Sequence, residues 1–229
     1  MDFLSGEVIP FYKPYEWTSF GVVAKVRNLL SEHLGCKVKI GHAGTLDPYA
    51  TGVLILLTGR ATKRVEEFQL HTKEYIATLK LGATTASYDR EHPENATFPT
   101  EHITQELVEA TLQKFIGTIE QIPPEYSACK VNGENAYKLI RKGKEVKLKP
   151  KTLTIDEIEL LSYDMPEIAI RVVCSKGTYI RALARDIGTA LGSGAYLTSL
   201  KRTRVGNIRI EDCHTFEKFP EWLKSNPET

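Results

Sequence analysis

Residues 41–52 read GHAGTLDPYATG and run straight into VLILL at 53–57. No other stretch restricts the fold so tightly. Three glycines and a proline within twelve residues exclude a regular helix or strand, so 41–52 is a loop. Five consecutive apolar residues need cover on both faces, which reads as a strand buried inside a sheet. Periodicity alone does not separate so short a run from a buried helical turn. The loop thus meets a buried element and carries one carboxylate, Asp47. Pro48 biases Asp47 away from the helical region, and the glycines let the backbone turn tightly and let another molecule come close. This suits a carboxylate held at an exposed loop apex. It also suits an Asx-type turn in which Asp47 bonds its own backbone. A phosphate-cradling P-loop is excluded, because the G-K-[ST] ending is missing.

Around this loop the pattern predicts mixed elements. Residues 18–34 put Val22, Val23, Val26, Leu29 and Leu30 on one helical stripe, with Thr18 or Ser19 as the N-cap. EYIATLKLG (74–82) alternates and reads as a strand ended by Gly82. Residues 83–102 are polar and loop-like. Thr104 then caps a helix with the stripe Leu107, Val108, Leu112, Phe115 and Ile116, and Gly117 lies just past its end. A short helix is predicted over 134–142, stopping at Gly143. Strands follow near 152–162 and 168–174, a helix at 179–191, and a last strand at 205–213. Strands without regular β-α alternation give an α+β fold with a mixed, mostly antiparallel central sheet.

The net charge of +1 argues against a nucleic-acid binder, but its distribution does not. Residues 128–151 hold eight Lys/Arg against Glu134 and Glu145, and 171–209 hold eight against Asp186 alone. Residues 82–126 hold eight acids against Arg90 and Lys114. A fold that brings the basic segments together would attract polyanions; both runs also suit plain solvated surfaces. The cysteines (Cys36, Cys129, Cys174, Cys213) lie far apart with no zinc-ligand spacing, so reduced thiols in a cytoplasmic protein are expected. No apolar run approaches the roughly 18 residues of a membrane span, and the first residues lack the layout of a secretory signal.

GHAGTLDPYATGVL resembles the central motif of the TruB family of tRNA pseudouridine synthases, which modify uridine 55 in the T-loop. Further segments match in the family's order. FYKPYEWTS (11–19) resembles its lysine-proline segment, and KEYIATLKLGATTASYD (73–89) its tyrosine-bearing strand. PPEYSACKVNGENAYKLIRKG (123–143) resembles its RNA-gripping insertion, SKGTYIRALARDIG (175–188) its arginine motif, and GAYLTSLKRTRVG (194–206) its leucine-basic motif. Two positions depart: Glu16 stands where the family usually has glycine, and Ala86 where it often has aspartate.

The resemblance implies the pseudouridine synthase fold as one catalytic domain over 1–229, with an RNA-binding insertion at about 123–150. It implies no C-terminal PUA-like domain, since the chain stops at Thr229. Asp47 matches the carboxylate required in all such enzymes. Tyr75 matches the tyrosine that packs on the target base and is a candidate general base. Arg181 matches the arginine that pairs with the aspartate, and His42 the histidine that fills the space left by the flipped nucleotide. Tyr179 and Leu200 match residues lining the uracil pocket, and Lys13 a lysine with a supporting role. The expected partner is the T-arm stem-loop of tRNA, with no guide RNA, no membrane and a monomeric enzyme. The reaction breaks the N-glycosidic bond, turns the uracil and rejoins it through C5. It has no redox change and no leaving group, so neither a cofactor nor a metal is expected. The target base must be flipped from its stack, and the carboxylate must stay ionised in a partly apolar pocket, which a guanidinium favours.

Overall fold

The computed structural model describes residues 2–131 and 133–226. Asn132, inside the expected insertion, and the last three positions lie outside the described residues. In chain order the strands are β1 (Val8–Lys13), β2 (Ile40–Ala43), β3 (Ala50–Thr58), β4 (Lys73–Leu81), β5 (Ala83–Thr85), β6 (Glu94–Thr97), β7 (Gly117–Gln121), β8 (Lys130–Val131), β9 (Glu134–Asn135), β10 (Lys151–Asp164), β11 (Glu167–Cys174), β12 (Ala195–Val205) and β13 (Ile208–Arg209). The helices are α1 (Ser19–Leu34), α2 (Val65–Leu70), α3 (Gln105–Gln113), α4 (Ala136–Arg141), α5 (Ile180–Ala190) and α6 (Phe219–Ser225). Two compact units result: Met1–Tyr75 with Lys201–Thr229, and Ile76–Leu200. The expected α+β class, with a mostly antiparallel sheet flanked by helices, is what the chain adopts.

In the first unit β1 and β2 both pair antiparallel with β3, Lys13 opposite Gly52 and Ala43 opposite Ile55. β3 contains the apolar run, and all five of its residues are fully buried. Its two faces feed different cores. Leu54 and Leu56 join Phe11, Val22, Val26, Leu30 and Phe219. Val53, Ile55 and Leu57 join Ala43, Phe68 and Val205 on the other side. That double cover is why no polar residue interrupts 53–57. α1 lays Val22, Val23, Val26 and Leu30 on the first core, each worth roughly 1.5–3 kcal/mol when buried. Thr18, not Ser19, is its N-cap: the Thr18 hydroxyl accepts the Gly21 N–H at 2.9 Å.

In the second unit the strand order is β12-β4-β11-β10-β7, with β10 antiparallel to both β11 and β7. α3 lies against β10, and α5 buries Ile180, Ala182, Leu183, Ala184 and Ile187. Between β7 and β10 runs the expected insertion: the β8–β9 hairpin, α4, and an irregular return through Lys144, Lys147 and Lys149, which are exposed.

Several elements differ from expectation. α3 ends at Gln113 rather than reaching Gly117, which instead opens β7; Ile116 is 42% exposed and packs no core stripe. The predicted last strand at 205–213 is only β13 plus a 3-10 turn at Ile210–Asp212. Its length sits earlier, in β12. The polar stretch after β4 contains a small antiparallel hairpin, β5–β6. The loop at 41–52 is shorter than its composition suggests, since β2 and β3 take both ends and leave Gly44–Tyr49. No helix among the described residues is long and apolar enough to cross a membrane.

Candidate active site

Asp47 stands in the six-residue loop between β2 and β3, half-buried, with its backbone carbonyl accepting the Ala50 N–H at 3.1 Å. Both of its sequence neighbours are held by buried side chains, one from β1 and one from α1. Ser19, at the start of α1, clamps Leu46 twice: its hydroxyl donates to the Leu46 carbonyl and accepts the Leu46 N–H, each at 2.9 Å. Lys13, at the end of β1 and fully buried, donates from Nζ to the carbonyls of Pro14 (2.9 Å), Trp17 (2.5 Å) and Pro48 (3.0 Å). Three carbonyl dipoles replace the hydration of this ammonium. Burial nevertheless pushes its pKa down to about 8, helped by the nearby Arg202 charge and opposed by Asp47.

A second buried cation holds the ends of the same loop. Arg202, on β12 and 1% exposed, donates from Nε to the Val53 carbonyl at 2.7 Å and from Nη2 to the Gly44 carbonyl at 2.9 Å. Gly52 has φ +107, and a Cβ there would lie 2.1 Å from the Arg202 carbonyl oxygen. Only glycine lets β3 come this close. His42, on β2, is half-buried; its Nδ1 is buried without a hydrogen-bond partner among the described residues. Burial, and then Arg202, hold its pKa below the ordinary imidazole value, so the ring is neutral at pH 7. Tyr75, the last residue of the first unit, is 8% exposed on an inward position of β4.

Of the expected residues, the second unit holds Tyr179, Arg181 and Leu200. Arg181 is 5% exposed on the first turn of α5. Its guanidinium donates to the carbonyls of Ser87 (3.1 Å) and Tyr126 (2.9 Å), and its Nε lies 3.7 Å from Asp89 Oδ2. Asp89 is itself buried, accepting from the Ser87 hydroxyl at 2.5 Å and the Glu91 N–H at 2.9 Å. Tyr179 caps α5. Buried Gln121 fixes its backbone from both sides, accepting the Tyr179 N–H at 2.9 Å and donating to its carbonyl at 3.2 Å. The Tyr179 hydroxyl lies 3.2 Å from Cys129 Sγ; burial and this contact raise its pKa, so the phenol stays protonated. Burial pushes the Cys129 thiol up, but bonds to Tyr179 and Ser127 and the Lys151 ammonium outweigh it and hold it below its usual value. Leu200, on β12, is half-buried.

The sequence reading singled out Lys13 but not Ser19, Arg202, Asp89 or Gln121. Ser19 was visible only as a possible cap, and Arg202 only as one of several charges in LKRTR. In β12 Lys201 is exposed and Arg202 buried, a difference that the strand's two-residue period produces and that the charge pattern LKRTR does not show.

The family model for TruB family pseudouridylate synthase (N terminal domain) matches residues 31–180, and that for the tRNA pseudouridylate synthase B C-terminal domain matches 181–228. The chain is 68% identical over 224 residues to tRNA pseudouridine synthase B of Phocaeicola vulgatus, covering 97% of this chain and 95% of that protein. With the protein of the same name from Flavobacterium johnsoniae it shares 45% over 225 residues, 97% of this chain and 98% of the other. Among solved structures, one from a Cbf5-Nop10-Gar1 complex superposes with a TM-score of 0.73 at 29% identity, covering 99% of this chain; this chain spans 58% of that one. One from an H/ACA RNP bound to a substrate RNA containing 2'-deoxyuridine gives 0.69 at 27%, covering 99% of this chain and 57% of that one.

Proposed function

The chain belongs to the TruB family of pseudouridylate synthases and is an enzyme of tRNA pseudouridylation, and we propose that it converts uridine 55 of the T-arm, with Asp47 as its essential carboxylate. One observation carries the assignment of Asp47. The residues on either side of it are pinned by buried groups, Leu46 by Ser19 and Pro48 by Lys13, while Asp47 itself stays half-exposed. A plain surface turn needs no such support. A carboxylate that must meet a sugar in one orientation does, because misplacement by an ångström costs orders of magnitude in rate.

In this reading the target uridine is flipped out of the T-loop and Asp47 acts on it while the glycosidic bond to N1 opens. The freed uracil turns and bonds through C5; the C5 proton leaves and N1, released from the sugar, takes one up. Buried Lys13 and Arg202 put two positive charges under the loop. The resemblance gives Arg181 the role of ion-pair partner. It gives Tyr75 the face on which the base rests, Tyr179 and Leu200 the walls of the uracil site, and His42 the space left in the RNA. Neutral, half-buried His42 suits stacking against bases better than a charged ring would. The insertion at 123–150 grips the RNA. The enzyme works in the cytoplasm, with its tRNA substrate.

The structural relatives from Cbf5 and H/ACA assemblies raise an RNA-guided alternative, but relatives that match this chain along nearly their whole length carry the tRNA enzyme's name. Purified protein incubated with unmodified tRNA transcript is expected to form pseudouridine without a guide. Asp47→Asn, which keeps the shape and removes the anionic oxygen, is expected to fold, to bind tRNA and to form none. Turnover within tenfold of the parent would end the assignment of Asp47.

A further inference from the structure

Two aromatic rings beside Asp47, one exposed and one half-buried, are used neither by the core nor by the proposed reaction. Tyr49 is the second residue after Asp47, and its ring lies 5.5 Å from that of Tyr15, tilted by 38°. Tyr15 is 46% exposed. Among the described residues neither phenol makes a hydrogen bond. The neighbouring Trp17 differs, because its ring packs on Phe216 at 4.7 Å.

The backbone holds this pair against the loop. Tyr15 sits in the turn 14–17, whose next residue, Glu16, takes φ 64, a conformation that glycine adopts freely and other residues rarely do. The buried Lys13 ammonium gathers the Pro14 and Trp17 carbonyls of that turn and the Pro48 carbonyl of the Asp47 loop. Each tyrosine therefore follows directly on a residue bonded to the same buried cation. Strained backbone that the surroundings over-determine is found at sites that touch ligands.

We propose that Tyr15 and Tyr49 form a stacking site for an unpaired nucleobase of the substrate RNA loop, distinct from the reacting uridine. The inference rests on the reading of Asp47 as the catalytic carboxylate. Flipping one nucleotide out of a loop breaks its stacking with the neighbours. A flat aromatic surface two residues from the carboxylate receives such a neighbour and offsets part of that loss. Aromatic faces accept any base, so the site adds affinity and register rather than sequence choice. A protein partner at these rings would block the approach of RNA to Asp47, so a nucleobase is the occupant that fits.

The test is a binding cycle in the Asp47→Asn background, with a T-arm hairpin in which each unpaired nucleotide other than the target is replaced in turn by an abasic one. Turnover by this background protein is measured first, and separately reports whether the reading of Asp47 stands. Tyr15→Leu with Tyr49→Leu keeps apolar bulk and removes the flat faces; Tyr15→Phe with Tyr49→Phe keeps them. The leucine pair is expected to weaken binding of the intact hairpin about tenfold, and the phenylalanine pair less than about twofold. At one loop position, removal of the base should cost about tenfold in the background protein and in the phenylalanine pair, but less than about twofold in the leucine pair. Should the leucine pair melt below the assay temperature, the abasic scan is read on the single variants. Equal abasic costs in both proteins at every position, or tight binding by the leucine pair, would overturn the proposal, as would a change in self-association with RNA affinity intact.

Discussion

At the scale of single residues, Lys13 and Glu16 are the two whose cost in the folded state can be measured. Lys13 titrates near 8 in the fold against an ordinary 10.5. Between those values the unfolded chain keeps a proton that the folded chain has released, so stability rises with pH across that window. The burial cost is present in full below about pH 8 and is relieved toward 10.5. Stability of the parent relative to Lys13→Met should therefore increase from pH 8 to 10 by about 1–2 kcal/mol, after allowance for solvent screening. Chemical denaturation at several pH values gives that difference, and a flat difference would show that Lys13 titrates normally. Glu16 makes the opposite kind of case. Glu16 adopts the left-handed backbone that glycine supplies without strain. Glu16→Gly is expected to raise stability by about 0.5–1 kcal/mol, read from the shift in the denaturation midpoint at constant slope. A fall in stability would mean that the glutamate side chain contributes more than its backbone costs.

At the scale of elements, legibility followed how locally each element is determined. α1, β4, β10, β11 and α5 were readable because their apolar periods are uninterrupted and the neighbouring caps or turns are present. β1 escaped because Pro10 lies in its middle; the strand tolerates it at the end of the strand order, where the outer side pairs only through an isolated bridge to His214 and the Pro10 carbonyl accepts the His214 N–H at 3.0 Å. β12 escaped because LKRTR reads as surface, whereas Arg202 is buried among backbone carbonyls. The site divided in the same way. Asp47, His42 and Lys13 sit in segments whose pattern is local. The groups that hold the Asp47 loop come from afar: Arg202 reaches Gly44 across 158 positions, and nothing in a one-dimensional pattern records that. The crossing of β3 and β12 gives the sharpest test. A Cβ at Gly52 would stand 2.1 Å from the Arg202 carbonyl, on a backbone with φ +107 that a side chain already disfavours. Gly52→Ala is expected to cost more than about 3 kcal/mol, through strain and separation of the two strands. Thermal melting within a degree or two of the parent would show that β3 and β12 can part at no cost.

At the scale of the whole molecule, charge is what the sum conceals. A net charge of +1 predicts weak attraction to RNA. Yet the acids concentrate in 82–126, while 128–151 and 171–209 are strongly basic. Part of the second basic segment is used internally: Arg181 and Arg202 are buried on backbone carbonyls and cannot reach phosphate. The insertion keeps more of its charge outside. Lys144, Lys147 and Lys149 are exposed on its irregular return, while Lys142 pairs with Glu134 across exposed side chains. Such an exposed pair is worth little and yields readily to phosphate. Binding of tRNA should therefore weaken steeply with salt despite the near-neutral chain. Each phosphate that a lysine no longer neutralises takes roughly 0.7–0.9 off the slope of log affinity against log salt. Replacing Lys144, Lys147 and Lys149 together by glutamine is expected to flatten that slope by about 2 and to raise KM, while kcat on saturating tRNA stays within about threefold, because these groups hold the RNA and do not touch the reacting base. The titration is fluorescence anisotropy of labelled tRNA between low and moderate salt. An unchanged slope would mean that the return of the insertion is solvated surface and that the RNA is held elsewhere.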